Sequence, residues 1–367
     1  MIQDGRMNRN SDLNNKERKK KRNIHKKVMA AAAVAGASFI LAAAVLGAET
    51  EQYTGTDFAM DTVVSETLYT SGKDLNQEIG DMLRETEDKY LSWTEKGSET
   101  YKINQAKGKT VQVSDTLAGY LEKALKLAED SGGAFDPTMG KVIRLWDIGG
   151  ENPHVPDQKE LDRFLEETGY ENLILEGNEV TLKGGAALDL GAAGKGIGCD
   201  IVMDFLKNQK EVCGMILNLG GSSVMAYGEK PDQTPWRVAL RDPREEESGY
   251  LGVITLKGGE FLSTSGDYEK YFMEDGKRYH HILDPETGYP VWNGLTSVTV
   301  ICENGLLADG LSTACFVLGA EDALPLLEKY NAEAAFVDEE HNIYLTDGMK
   351  SRFELMKNTY TIRDSFD

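Results

Sequence analysis

Proline is scarce in this 367-residue chain, nine in all, and its 38 glycines follow no Gly-X-Y period. Collagen-like and low-complexity classes are therefore excluded. There are only four cysteines (Cys199, Cys213, Cys302, Cys315), with no C-x-x-C pair and no metal-knuckle spacing. Each sits among apolar or small neighbours, so they read as small buried thiols, and nothing in their spacing asks for a disulfide. Histidines number five. Positive charge is short everywhere except at the start: residues 1–27 hold 10 Lys+Arg against 3 Asp+Glu, and the remainder holds 30 against 58, a net −28. So acidic a body repels polyanions, which argues against DNA or RNA binding. With 40% hydrophobic residues the chain can build a real core, which excludes wholesale disorder.

The amino terminus reads as an address. Lys16 to Lys27 is KERKKKRNIHKK, and Val28 to Gly47 then runs without a charge. A basic cluster followed by an apolar stretch is the polarity of a secretory signal, and the stretch matches the ~20 residues that span a bilayer. Leu46-Gly47-Ala48 is a mediocre cleavage exit, which favours an uncleaved anchor over cleavage. The expected organisation is a basic cytoplasmic segment over 1–27, a signal or membrane anchor over 28–48, and one large domain over 57–367. The basic flank stays inside, which puts that domain on the extracytoplasmic face of the membrane.

Within the domain, Phe58 to Thr70 has strand composition, and Leu75 to Trp93 shows helical spacing. Ser114 is placed to cap a helix that Gly132-Gly133 stops, and Asp157 to Glu167 is amphipathic. Gly177-Asn178 between Leu173–Leu175 and Val180–Leu182 signals a hairpin. A helix over Gly196 to Lys207 precedes a buried strand over Val212 to Leu219, and several strands fill Trp236 to Ile301. Helices over Gly305–Leu318 and Glu321–Tyr330 lead to a final strand near Ala334–Val337. Helices and strands are mixed rather than alternating, which points to an α+β fold with mixed sheets and flanking helices.

Several segments have the composition of a binding site. Leu188 to Asp200 reads LDLGAAGKGIGCD, a strand, a glycine-rich turn, a lysine and a helix start. Free N–H groups, a helix dipole and an ammonium converge there on an anion. It is neither a Walker A loop nor a G-x-G-x-x-G fingerprint. Gly132 to Thr138 (GGAFDPT) sets an aromatic beside a carboxylate, although taken alone it reads more readily as a helix-ending turn. Leu262 to Tyr268 (LSTSGDY) offers hydroxyls around one glycine, but no G-x-S-x-G elbow is present. His280 and His281 are the best-placed candidates for a general base, and on a strand they face opposite ways. An unperturbed imidazole would stop working below roughly pH 6.5. Asp309 and Thr313 share one helix face at i and i+4, a hard-oxygen pair suited to Mg²⁺, or else a helix-start charge and a core hydroxyl.

Taken in order, Met60-Asp61-Thr62, GGAFDPTMG, LDLGAAGKGIGCD, LNLGGS, LRDP, STSGDYEKYF, YHHILDPETGYP and ADGLSTACFVLG resemble the ApbE-type FAD:protein FMN transferases over roughly residues 57–350. The resemblance implies an enzyme that takes FAD and Mg²⁺, joins FMN through a phosphoester to a threonine or serine of an acceptor protein, and releases AMP. Carried over by motif, Asp309, Thr313 and the carbonyl of Ala192 would hold the metal, and Lys195 with the Gly191–Gly196 turn would face the phosphates. Met60, Trp93, Ala134, Phe135, Asp136, Asp189, Thr264, Ser265, Gly266, His281 and Ile282 would line the FAD. Gly194 stands where the family usually has alanine, and the frequent lipoprotein cysteine is missing. An FAD pyrophosphatase using water as acceptor, or a non-catalytic FAD-binding protein, would share much of this site.

Overall fold

The computed structural model describes residues 50–245 and 249–365. The basic segment expected over 1–27 and the signal or anchor expected over 28–48 lie outside the described residues, among which no helix is long and apolar enough to cross a membrane. Residues Tyr53–Asp367 form one compact unit.

Nine strands make the central sheet, and their order across it is their order along the chain: Glu51–Ala59, Thr62–Thr70, Val212–Leu219, Ser223–Gly228, Phe261–Gly266, Leu295–Cys302, Glu333–Asp338, Asn342–Leu345 and Thr361–Arg363. From Thr62–Thr70 to Asn342–Leu345 each pair is antiparallel, and the last pair is parallel. Side-chain alternation gives each strand two faces. Phe261, Val298 and Val300 point into a core shared with the helices Gly194–Leu206 and Gly305–Leu318. Leu262 and Ile301 point the other way, against a small sheet of Trp236–Arg241, Tyr250–Leu256 and Phe353–Leu355. Both faces being covered, all eight residues of Leu295–Cys302 are buried. The α+β expectation holds.

The two helices meet backbone to backbone. A Cβ on Gly196 would lie 2.0 Å from the Gly305 carbonyl oxygen, and one on Gly305 would lie 2.2 Å from that of Gly196. Only glycine permits this approach. Each helix then caps the other with an aspartate four residues past its glycine. Asp200 accepts from the N–H groups of Gly305 (2.7 Å) and Leu306 (3.0 Å), and Asp309 Oδ2 accepts from the N–H of Gly196 (2.8 Å). Helix N-termini leave N–H groups without intrahelical partners and favour negative charge, so the exchange stabilises both starts.

The remaining elements depart from the sequence reading in instructive places. Phe58 to Thr70 is two strands, because Met60 (φ 54°) and Asp61 (φ 55°) turn the chain through left-handed backbone. The Leu75–Trp93 pattern gives a helix over Asn76–Thr86 and a π-helical turn over Glu87–Leu91, which ends before Trp93. The helix expected from Gly196 starts at Gly194, and that expected from Glu321 starts at Leu324. Short helices at Glu99–Gln105 and Gly140–Trp146 were not signalled. Ala334–Val337 is not the last strand, since three follow the Glu333–Asp338 strand that contains it. The Ser114 cap and the Gly177-Asn178 hairpin are as read. Of the four thiols only Cys213 is exposed, being the outward residue between buried Val212 and Gly214.

One buried carboxyl makes stability depend on pH. Glu66 is buried with Oε2 lacking a hydrogen-bond partner, as does the nearby buried Asn76 Oδ1. Gly55 makes room for it, since a Cβ there would meet Glu66 Oε1 at 2.3 Å. Burial first, then Asp57 and Asp74, push its pKa up to about 7, against the pull of Arg84. A carboxyl raised in the folded state destabilises the fold as pH climbs from its unfolded value of about 4.3 through 7. Glu66→Gln keeps the shape and cannot ionise. It is expected to match the parent in thermal melts at pH 4.5 and to exceed it at pH 8.5 by up to about 3 kcal/mol.

Candidate active site

The anion turn is built by its own side chains. Asn104 clamps Leu188 through both its backbone groups (2.8 and 2.7 Å), fixing the entry. Asp189 Oδ1 accepts from the Gly191 N–H (2.8 Å), the Ala193 N–H closes onto the Leu190 carbonyl (3.0 Å), and the helix begins at Gly194. Gly191 and Ala192 are left exposed, with Lys195 half-buried just inside the helix. The Lys195 ammonium donates to Ser222 Oγ on the neighbouring turn, where Gly220 and Gly221 supply positive φ (67° and 81°).

Next to Ser222, Ser223 Oγ donates to Asp309 Oδ1 (2.8 Å) inside the core. The carboxylate of Asp309 is thus held by two donors from separate elements, Ser223 and the Gly196 N–H. Ser263 pairs with Ser223 across the sheet, and two residues on along the same face Ser265 Oγ lies 2.8 Å from Ser312 Oγ and 3.2 Å from Thr313 Oγ1. Asp309 and Thr313 are therefore brought into one hydroxyl-lined cluster with Lys195 at its edge. Among the described residues no three His, Cys, Asp or Glu side chains group as a metal site. One carboxylate with hydroxyl and carbonyl oxygens still suits Mg²⁺, which takes much of its shell from water and substrate phosphates.

Thr264 falls elsewhere. Strand alternation puts its side chain on the opposite face from Ser265, where it pairs with Thr299 Oγ1 (2.9 Å). Its link to the cluster is its backbone N–H, which donates to the Ser222 carbonyl (2.7 Å). At Gly266 a Cβ would be 2.4 Å from the Tyr268 ring, so glycine lets that ring fold back.

The two histidines divide as strand geometry requires. His280 is buried; the Ile282 N–H donates to its Nδ1 (3.3 Å), which leaves Nε2 to donate to the Val291 carbonyl (2.7 Å). Its ring is a neutral structural tie, packed edge-on to Phe316. His281 is half-buried with Nδ1 3.3 Å from the Lys270 carbonyl oxygen. Burial first, then Lys270, His280 and Lys195, hold its pKa down to about 3. It is thus a neutral imidazole at ordinary pH, and the acid limb near pH 6.5 expected for an unperturbed histidine is displaced downward. Ile282 is buried beside it.

The remaining candidate residues sit on other elements. Met60 donates its N–H to Glu87 Oε2 (2.9 Å) and sets its sulfur against Gly198, where a Cβ would approach to 2.6 Å. Asp136 accepts from the Thr138 N–H and hydroxyl (both 2.7 Å). Its burial raises its pKa, and those bonds oppose the rise. Phe135, read as a flavin-lining aromatic, has its ring in the core against Gly310, with Ala134 buried before it. Trp93 is 43% exposed and stacks under the Arg144 guanidinium (4.7 Å). Burial lowers the pKa of Arg144, and Asp189 opposes that shift, so Arg144 links Trp93 to the anion turn. Arg144 and Asn104 were missed because they lie on short helices without a sequence signal. Ser223 was legible only as part of a glycine turn.

An exposed glycine turn with an ammonium, a fixed carboxylate among hydroxyls and a neutral imidazole are the parts that a phosphoryl-transfer enzyme uses, here on an α+β scaffold. The chain belongs to the ApbE family, whose profile matches residues 60–336. A relative from Klebsiella pneumoniae (strain 342), named FAD:protein FMN transferase, is 34% identical over 304 residues, 81% of this chain and 92% of its own. One of the same name from Treponema pallidum (strain Nichols) is 32% identical over 275 residues, 70% and 75% of the two chains. The crystal structure of the Thermotoga maritima ApbE protein superposes with a TM-score of 0.73 at 33% identity, covering 82% of this chain and 99% of its own. The flavin transferase ApbE from Vibrio cholerae gives 0.74 at 29% identity, covering 83% and 99%.

Proposed function

We propose that this protein carries out Mg²⁺-dependent transfer of FMN from FAD to a threonine or serine hydroxyl of an acceptor protein, with AMP released, on the extracytoplasmic face of a bacterial membrane. FMN transfer from FAD to a protein is the activity of the relatives the chain matches and the activity of this chain. One observation supports the finer chemistry best: Lys195 and Asp309 hydrogen-bond to consecutive residues, Ser222 and Ser223, which ties an anion-binding cation and a hard-oxygen anion to one turn. The basic-then-apolar pattern of residues 16–47 supports the location.

In this reading the Gly191–Gly196 turn and Lys195 bind the diphosphate of FAD. Asp309, Thr313 and the Ala192 carbonyl hold Mg²⁺, which when bound neutralises charge on the phosphate oxygens. Neutral His281 takes the proton of the acceptor hydroxyl, whose oxygen forms the new bond to the FMN phosphorus. The bond from that phosphorus to the bridging oxygen breaks, and AMP leaves with that oxygen. The rival with water as acceptor is separated by one experiment. Residues 50–367 are incubated with FAD and Mg²⁺, with and without acceptor protein, and free FMN, AMP and protein-bound flavin are followed. Transfer predicts AMP release that depends on acceptor and matches bound flavin; free FMN without acceptor at the same rate would favour the pyrophosphatase. No FAD affinity at all would overturn both.

A further inference from the structure

We propose that a basic, aromatic-walled cavity one residue from His281 binds a carboxylate side chain of the acceptor segment, close in sequence to the residue that receives FMN; the proposal rests on the transferase reading. The cavity, about 470 Å³, lies beside the hairpin Tyr271–Glu274/Lys277–His280. That hairpin pairs only with itself among the described strands, and its base is closed by the His281 N–H on the Lys270 carbonyl (3.0 Å). His280 lines the cavity and His281 follows it directly, just past the end of the Lys277–His280 strand, so a segment bound in the cavity lies alongside the base.

The chemistry of the lining is that of an anion site in want of its anion. Arg244, half-buried, forks onto the buried Asp267 (2.8 and 2.9 Å), and that pair satisfies itself. Arg278 lies 3.4 Å from the same carboxylate, yet its Nη1 is buried without a hydrogen-bond partner. The ammonium of Lys277 sits over the Trp292 ring (3.1 Å) and has no carboxylate partner among the described residues. Among the described residues Glu339 is the only other acid in the wall, so there the cations Arg244, Lys277 and Arg278 exceed the carboxylates Asp267 and Glu339. His280, its two nitrogens already committed, adds no charge. Trp292 (46% exposed) gives an apolar wall that suits a peptide better than a bare ion, and Tyr271 backs the Arg278 guanidinium at 4.3 Å. A planar carboxylate fits the guanidinium fork of Arg278 with Lys277 as a second point charge. An extended segment advances about 3.3 Å per residue with its side chains alternating in direction, so an acidic residue on the face opposite the acceptor hydroxyl should stand roughly three positions from it.

The test uses three fluorescent peptides that share one threonine and carry Asp, Asn or Lys at the third position on either side. Their affinities are read by anisotropy on the parent protein, Arg278→Gln and Lys277→Gln, together with FAD affinity by dialysis. The Asp peptide is expected to bind the parent about tenfold tighter than the Asn peptide, with the preference fading as salt rises. Arg278→Gln should erase the preference and Lys277→Gln should reduce it, both leaving FAD affinity unchanged. Equal affinities for the three peptides, or a preference that survives in both variants, would overturn the site. Weakened FAD binding in either variant would also overturn it, by assigning the cavity to the nucleotide. Because binding is read without turnover, this outcome is distinct from failure of the transferase reading, which would show as selective peptide binding with no flavin attached.

Discussion

Asp309→Ala is expected to lower FMN transfer by on the order of 10²–10³-fold, the cost of removing one preorganised electrostatic group at a reacting phosphate. It should also lower stability, because the Gly196 N–H and the Ser223 hydroxyl lose their shared acceptor inside the core. Buried groups left without partners cost about 1–3 kcal/mol each. Asp309→Asn separates the two effects. Its amide oxygen still accepts one of the two bonds but brings no charge, so urea denaturation should show stability mostly restored while Mg²⁺-titrated transfer stays low. If the Asn variant instead turns over normally, Asp309 is a helix cap and the metal lies elsewhere.

His281→Ala is expected to slow transfer by about 10²–10⁴-fold, the usual contribution of a positioned general base, with FAD still bound. His280→Ala should leave chemistry nearly intact and act on folding, since it removes the ties to Val291 and Ile282. The pH profiles carry the sign. With the imidazole of His281 held down to about 3, kcat/KM should stay level from pH 7 to pH 5 and fall only as pH approaches that value. A bound diphosphate offsets the cationic contributions of Lys270 and Lys195, so kcat, which reports the complex, should lose activity at a higher pH than kcat/KM. A shared limb near pH 6.5 would mean that the imidazole is not buried as described. An inactive His280 variant beside an active His281 variant would invert the roles.

Much of this site was legible because its chemistry sits in contiguous stretches. The LDLGAAGKGIG run turns as its glycines require, and Asp309 and Thr313 share a helix face because i and i+4 always do. What could not be read is what the sheet brings together. Nothing local to Ser223 says that its hydroxyl meets a carboxylate 86 positions away. Thr264 and Phe135 illustrate the converse: adjacent to functional-looking residues, one is turned to the far face by strand alternation and the other has its ring drawn into the core. The break at Met60-Asp61 escaped notice because neither residue is a glycine, although both adopt left-handed backbone.

The central sheet lays its strands down in the order in which the chain is made, and this bears on assembly. A growing chain can add each strand to the edge left by its predecessor, with no later segment needing to slot between two already paired. The exception is the long excursion over residues 71–211, which must close before Val212–Leu219 can pair with Thr62–Thr70. Loop-closure entropy grows only as the logarithm of length, so the excursion weighs on the timing of assembly far more than on the final balance. Its part before the Leu188–Gly196 turn can therefore lengthen, shorten or be exchanged without rethreading the sheet, while the turn and the Gly194–Leu206 helix stay tied to the Gly305–Leu318 helix. The helices that frame Trp93 and Arg144 lie within that earlier part, and selection can reshape that side of the pocket while the Asp309 side stays fixed to the sheet.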